Sequence, residues 1–373
     1  MGKLLLFYNK HQSPPSPPRT YKSYMEQSVE SAMQETMLTN PNGNRNTGTY
    51  LMTDTLAKII DADEFIPRFH NFETRADTVV TNILHRIGTN LKVDLPYWEN
   101  ILNHADRVIP LSLGFAFDKG KIAPLDRGLE KLLRMLAERA EIGVRGEYDA
   151  DYLNGYGIKN VRIIGCPSMF YHLNREFTVN SNVNDLQRIN FNFSTDFANL
   201  GISQKDAVEI HWPLLRYFID AFEQKLFSID FTLQKPPFAE VCDIHSILLS
   251  YGEVHHFYSA CGRYFYSAKD WIEGMRNNDF SIGTRFHGNI AAILARVPAL
   301  MINLDKRMEE MNKFYKIPAI DISDFDNRKP IEYYGELADY SEFNKCYGKV
   351  YDNFVNYCEK NGVKLKHRRN NHE

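Results

Sequence analysis

Short apolar runs alternate with apolar stripes of helical spacing along most of this chain. Lys3–Tyr8 is such a run and reads as a buried strand. It opens onto a loop, His11–Arg19, in which Pro14, Pro15, Pro17 and Pro18 forbid helix and strand interior. A polar stretch runs on to Asn46, and residues 42–48 form a loop leading into a helix N-terminus. Thr49–Asp61 then places Leu51, Leu56, Ile59 and Ile60 at helical spacing. Val108–Phe117 reads as the next strand, and Asp126–Ala140 as an amphipathic helix with Leu129, Leu132, Leu133, Leu136 and Ala140 on one stripe. Ile142–Val144, Tyr148–Leu153 and Val161–Ile164 continue as strand, helix and strand, closed by Gly165-Cys166-Pro167. The second half repeats the habit. Strands are expected at Ile189–Phe193, Phe227–Thr232, Phe280–Gly283 and Ala299–Leu304. Helices are expected at Val208–Lys225, Ala239–Tyr251, Gly288–Ala295 and Met308–Tyr315, with Tyr340–Asn361 as a closing helix.

Strands and helices that alternate through short loops call for parallel sheets with helices on both faces. The expected fold class is therefore α/β, with two doubly wound, Rossmann-like domains facing a cleft. The pattern divides the chain into residues 1–170, a polar and irregular linker at 171–188, a second domain at 189–335, and a closing helix with a basic tail at 336–373. In such folds ligands bind beyond the carboxyl ends of the strands. Polar residues just after strands are thus the ones to weigh.

Ser281–Asn289 is the strongest stretch, because a short strand there runs straight into a helix. Arg285 and His287 project to one side if the chain is still extended. Gly288 lets the backbone turn closely, and the helix start behind it offers free N–H groups to an anion. Arg285 supplies a planar fork for carboxylate or phosphate, and His287 a proton donor tunable near neutral pH. The plain alternative is an ion-paired arginine and a satisfied core histidine. The following strand ends at Asp305-Lys306-Arg307. Cations at a helix start oppose its dipole unless an anion is near, so Lys306 and Arg307 are candidates for the same crevice. Arg145 holds the matching place in the first domain, with Glu141 or Asp149 as its alternative partners. Cys166 follows a strand too, but no histidine is fixed near it in sequence, so it reads as a buried structural thiol. Ser168 either caps or contacts ligand. Asn46 and Gly48, with Asn44 and Thr49, either cradle a substrate or cap the next helix.

Composition narrows the classes. Of 373 residues, 43% are hydrophobic and 24% charged, which excludes a largely disordered chain and suits about two domains. Phe and Tyr are plentiful, at 24 and 21, which favours a sizeable core and a carbohydrate-facing cleft. A net charge of −3 argues against a nucleic-acid partner. No apolar run reaches membrane length, and the start of the chain lacks a cleavable leader and the serine or threonine of a myristoylation motif. The expectation is a cytoplasmic protein, or one peripheral to the inner face of the membrane through the tail Lys364–Arg369, without stable insertion. Five cysteines form no C-x-x-C pair and read as reduced thiols. Asp-x-Asp pairs at 61/63, 149/151 and 324/326 and the adjacent His255-His256, placed on a strand or in a loop, are weak metal signals. GxGxxG, the Walker lysine loop and HExxH are absent. No metal or cofactor is expected. Nothing in the pattern fixes the oligomeric state.

Two stretches together resemble the polysaccharide pyruvyl transferase family. One is Ile142-Gly143-Val144-Arg145-Gly146-Glu147-Tyr148, continuing through Tyr152-Leu153 to Ile164-Gly165-Cys166-Pro167-Ser168. The other is Ile282-Gly283-Thr284-Arg285-Phe286-His287-Gly288, then Val297-Pro298 and Asp305-Lys306-Arg307. The resemblance implies a two-domain fold of the glycosyltransferase GT-B type. It implies transfer of pyruvate from phosphoenolpyruvate, as a ketal, to a sugar of a capsule, exopolysaccharide or cell-wall polymer or its lipid-linked precursor. Arg285 and His287 would line the donor site, Arg145 would reach in from the other domain, and Glu147 could assist as a base. One departure stands out. The family's early loop usually reads Asn-x-Gly-Asp, whereas this chain has Asn46-Thr47-Gly48-Thr49. Two other readings stay open: a nucleotide-sugar glycosyltransferase of the same build, and a non-catalytic glycan-binding protein.

Overall fold

The computed structural model describes residues 2–8, 19–20, 46–66, 72–73, 75–82, 84, 87, 93–115, 124–181, 183, 185–195, 202–235, 240 and 251–366. In the first half these form β1 (Leu4–Phe7), β2 (Arg19–Thr20), α1 (Thr47–Ile59), β3 (Glu64–Ile66), β4 (Ala76–Thr81), α2 (Leu95–His104), β5 (Ala105–Pro110), α3 (Arg127–Arg139), β6 (Ile142–Val144), α4 (Glu147–Gly155) and β7 (Val161–Ile163). After a 3-10 turn at Pro167–Phe170 come β8 (Arg188–Asn192), α5 (Trp212–Glu223), β9 (Ser228–Thr232), α6 (Tyr251–Cys261), β10 (Gly262–Tyr264), α7 (Ala268–Met275), β11 (Phe280–Gly283), α8 (Phe286–Leu294), β12 (Ala299–Asn303), α9 (Lys306–Tyr315), β13 (Ala319–Asp321), α10 (Ile331–Glu336) and α11 (Ser341–Lys360).

The first sheet has the order β3-β1-β4-β5, all parallel. The parallel pair β6-β7 extends it through the bridge between Leu113 and Val144. The second sheet runs β13-β12-β11-β8-β9-β10-β2, parallel except for β2 against β10. Successive side chains of a strand point to opposite faces, and here both faces are apolar. Leu5, Phe7, Val79 and Val108 pack with the leucine stripe of α3, while Leu4, Leu6, Val80 and Ile109 join α1 and the second sheet in one large core. The result is the α/β build of two parallel-sheet units facing a cleft. α11 is fastened to both. Tyr357 donates to the Glu141 carbonyl at 3.0 Å, and Asn353 to that of Ile163 at 2.8 Å. Tyr340, just before α11, donates to Ala299 on β12 at 2.9 Å.

Three expected elements change. The helix expected from Val208 is a π-turn, Ala207–His211, followed by α5. Pro213 supplies no N–H to an α ladder, so the regular helix starts only beside it. The strand expected over Val108–Phe117 begins earlier and stops at Pro110, with Ser112 turned to φ 61°. His255 and His256 sit on α6 rather than on a strand or loop, because Val254, Phe257 and Tyr258 bury a helical face beneath them. The proline-rich loop, the polar stretch before Asn46, Cys242, most of the helix expected at 239–251 and the tail beyond Lys366 lie outside the described residues.

Candidate active site

Four helices begin at one place. α1, α8 and α9 contribute their first turns to a cavity of about 330 Å³, and Arg145, just before α4, closes it from the other unit. Asn46, Gly48 and Thr49 come from the start of α1, Thr284 to His287 from that of α8, and Leu304, Asp305 and Arg307 from that of α9. Ser194 and Gln234, beyond the ends of β8 and β9, form the floor, and Met52, Met308 and Met311 an apolar side. Each helix start carries partial positive charge, so the cavity favours an anion before any side chain is counted.

The turn from β11 into α8 is held by buried amides. Gly283 is obligatory, since a Cβ there would lie 1.8 Å from the Asn192 carbonyl oxygen. Asn192 Oδ1 accepts the Arg285 N–H at 2.9 Å, and its Nδ2 donates to Asn289 Oδ1 at 2.8 Å. Arg285 is thereby aimed inward and is only 5% exposed. Its Nη1 donates to the Thr232 carbonyl at 3.0 Å and its Nη2 to Thr47 Oγ1 at 2.7 Å. Glu240 is fully buried in its field and accepts the N–H groups of Gln234 and Lys235 at 2.9 and 2.6 Å. Burial lowers the arginine's pKa and raises the glutamate's, and their mutual attraction opposes both shifts. Arg285 therefore differs from a simple anion fork. Both terminal nitrogens already serve α1 and β9, and the guanidinium lends its charge from the cavity wall.

α8 has no side-chain cap, and its first residues, Phe286 and His287, line the cavity. His287 lies at that start. Its Nε2 is 3.4 Å from Cys166 Sγ. Its Nδ1 faces Gly48, where a Cβ would come within 2.6 Å. Only glycine at 48 leaves that room. Cys166 is fully buried, as the sequence led us to expect, and the structure adds a neighbour that local sequence could not show, a histidine 121 residues away in the chain.

Arg145 is 3% exposed, and its Nε donates to Ser112 Oγ at 3.1 Å. Of its two expected partners, Asp149 is the near one. Glu141 instead pairs with Arg162 at 2.8 Å and Lys360 at 3.0 Å. Asp149 accepts the Phe115 N–H at 2.9 Å. Burial pushes its carboxyl up to about 6, against the pull of that hydrogen bond, Arg145 and Arg307. Asp305 caps α9 through the Met308 N–H at 2.8 Å and lies 3.4 Å from Arg307 Nη2. The Arg307 Nε is buried with no hydrogen-bond partner among the described residues. From the same helix Glu310 crosses the cleft and accepts the Tyr148 N–H through both oxygens at 3.0 Å, capping α4 from the other unit.

Of the residues singled out in the sequence, Arg285, His287, Arg145, Arg307, Asn46 and Gly48 line one cavity. Three others do not reach it. Lys306 points to solvent and pairs with Glu309 at 2.6 Å. Gly288 is buried against Asn192 beneath the cavity. Ser168 is wholly buried, 3.1 Å from Cys166 Sγ. Glu147, the suggested base, is exposed and faces Lys313 at 3.8 Å. Asp305, Gln234, Ser194 and the methionines were not foreseen. Asp305 alone had a local signal, an acidic residue capping a helix after a strand. Among the described residues, no group of three or more His, Cys, Asp or Glu is placed to hold a metal, and no helix is long and apolar enough to cross a membrane.

The family model of polysaccharide pyruvyl transferases matches residues 84–306, more than half the chain, including Arg145 and the whole of the β11–α8 turn. The chain belongs to that family. It is a family of transferases, which makes this pyruvyl transferase family member an enzyme by kinship. No curated protein matches it in sequence. Among solved structures it is similar to S. aureus MnaA in a UDP co-structure, at 13% identity over 96% of this chain and 96% of that one, with TM-score 0.46. It is also similar to the UDP-GlcNAc 2-epimerase from Neisseria meningitidis bound to UDP-GlcNAc, at 10% identity over 96% of this chain and 100% of that one, with TM-score 0.46. A functionally uncharacterised protein from Klebsiella pneumoniae is similar at 13% identity over 73% of this chain and 85% of that one, with TM-score 0.38.

Proposed function

We propose that this family member transfers pyruvate from phosphoenolpyruvate to a saccharide acceptor as a ketal, at the cavity between the two units. The observation that carries the reading is the meeting of the uncapped α8 start with Arg145, Arg285, Arg307 and His287 around one small space. Phosphoenolpyruvate presents a carboxylate and a phosphate. The start of α8, which has no side-chain cap, and the orphaned Arg307 Nε suit those oxygens, and Arg285 adds its field. The methionine side suits the methylene carbon.

In the reaction His287 gives a proton to the methylene carbon, which becomes a methyl group and leaves the adjacent carbon electrophilic. One acceptor hydroxyl bonds to that carbon and loses its proton. The bond to the phosphate oxygen breaks, a second hydroxyl bonds in its place and loses its proton, and phosphate departs. Asp305, the carboxylate of the cavity wall among the described residues, is our candidate for taking a hydroxyl proton, in place of the acid that the early loop lacks at Thr49. The arginines stabilise charge on the departing phosphate. The scheme uses no metal or nucleotide. The acceptor would be a cytoplasmic or lipid-linked saccharide.

A thermal-shift series tests the donor. A ligand at 100 times its Kd stabilises by about 2.7 kcal/mol, a readable shift. A rise with phosphoenolpyruvate and none with a panel of nucleotide sugars supports ketal transfer. A rise with one nucleotide sugar alone would overturn it in favour of glycosyl transfer, because the same helix starts can hold a diphosphate.

A further inference from the structure

Ser112 takes no part in the scheme above, and its backbone is unusual. It stands at φ 61°, in the left-handed region that glycine enters without steric cost and serine does not. The chain is fastened on both sides of it. The Leu111 N–H donates to the Thr81 carbonyl at 2.8 Å, which keeps that residue on β4. The Leu113 N–H donates to the Gly143 carbonyl at 2.9 Å, and the Leu113 carbonyl accepts the Arg145 N–H at 3.1 Å, so the chain has by then moved to β6. Ser112 is the one residue between them, and it makes that change of strand. It is wholly buried, so its hydroxyl serves nothing in solvent. It serves the Arg145 side chain, whose Nε donates to Ser112 Oγ at 3.1 Å. A guanidinium can only donate, so the direction of that bond is fixed.

We infer that Ser112 is a positioning residue for anion binding: its left-handed turn presents a hydroxyl that pins the Arg145 guanidinium at Nε and sets its angle in the cavity wall. A guanidinium is planar, and its grip on two oxygens of a phosphate or carboxylate depends on where that plane lies. A bond at Nε fixes the plane and so fixes where Nη1 and Nη2 go. Arg145 is 3% exposed and lines the cavity from the first unit, while Arg307 lines it from the second. An anion between those walls meets both groups, so the angle of each decides how many of its oxygens are bonded. The chemistry of the anchor matters as well. A carboxylate at position 112 would hold the guanidinium but cancel the charge that an anion needs. A hydroxyl holds it and leaves the charge whole. Asp149, the carboxylate near Arg145, has its Oδ1 on the Phe115 N–H at 2.9 Å, which ties down the same segment three residues on. That the anion is phosphoenolpyruvate rests on the ketal-transfer reading; the hold on Arg145 does not.

The test uses the full chain labelled with 15N-arginine, the Arg145 Nε–H signal being identified by its loss in Arg145→Lys. In wild type that signal should exchange slowly with water. Ser112→Gly removes the hydroxyl and takes the same φ freely, whereas Ser112→Ala removes the hydroxyl and keeps the cost of the turn. Both should speed exchange of the Arg145 Nε–H. Both should also raise the Kd for phosphoenolpyruvate about threefold to tenfold, the worth of one hydrogen bond. In an Arg145→Lys background neither should weaken binding further, because a positioning residue acts through the residue it positions. A fast-exchanging signal in wild type, or one that neither variant changes, would overturn the inference. So would a loss of affinity in one variant alone, which puts the effect in the backbone, or a loss that persists undiminished in Arg145→Lys. Ser112→Ala carries the test if the glycine variant does not fold. If wild type binds no phosphoenolpyruvate, the ketal-transfer reading fails, and the Nε–H signal still decides whether Ser112 holds the guanidinium.

Discussion

Arg285 and Arg307 bound the same cavity, yet one is framework and the other is held open. Arg285 is sealed in, with both terminal nitrogens donating to protein and a buried carboxylate beside it. Arg307 stands at a helix start with its side chain 22% exposed, one long contact to Asp305 and an unserved buried Nε. The difference teaches that cations of one site do two jobs. One fixes the junction of α1 with the second sheet and sets a standing field. The other has a buried Nε without a partner among the described residues, and it is the one that the proposed function assigns to the donor.

The largest expected effect follows from breaking the framework arginine. Arg285→Ala strands Glu240 in the interior without its counter-charge, which should cost about 3–5 kcal/mol. Urea denaturation at pH 7.5 should show that loss, and adding Glu240→Gln should recover a good part of it. Unaltered stability in Arg285→Ala would mean the pair does not hold this junction. The next effect is purely chemical. His287→Gln should keep phosphoenolpyruvate binding and stability and lower kcat by about 10²–10⁴. Equal turnover would remove it as the proton donor. A third substitution probes the open arginine. Arg307→Ala should weaken phosphoenolpyruvate by about 1.5–3 kcal/mol, the worth of a charged hydrogen bond, while leaving the unfolding midpoint near that of the parent. If instead it unfolds the protein as Arg285→Ala does, the contrast between the two collapses.

Local spacing made half of this site legible. Arg285 and Arg145 each follow a short apolar strand and precede a helix, and His287 lies in the first turn of the helix after Arg285, so their place at the strands' carboxyl ends could be read without coordinates. Phe280–Gly283 stood out for the same reason, as four buried residues ending at a glycine. Contacts between distant segments were not legible. Nothing near Cys166 announces His287, and nothing near Arg285 announces Glu240, since both pairings are made by the packing of separate elements. Lys306 and Arg307 are neighbours in sequence, but one helical step turns the first to solvent and the second to the cavity. Elements with weak stripes were also missed. β4 mixes Asp77 and Thr78 into its apolar run, and α2 buries only Trp98, Ile101 and Leu102.

The smallest effect concerns the strut between the walls. Glu310 of α9 caps α4, and its carboxyl is raised to about 7, chiefly by burial, with Asp149 and Glu147 adding to the rise. A carboxyl raised on folding binds its proton more tightly in the native state. It therefore leaves stability whole below the unfolded value near 4.5 and erodes it as pH climbs to about 7, after which the loss is constant. Because this side chain is partly exposed, screening cuts the effect to about 1 kcal/mol. Glu310→Gln keeps an oxygen for the Tyr148 N–H and removes the charge. Its stability should equal the parent's at pH 4.5 and exceed it slightly at pH 8. If the parent is the more stable at pH 8, the ionised carboxylate strengthens the α4 start more than its burial opposes it, and the two walls are held together by charge rather than despite it.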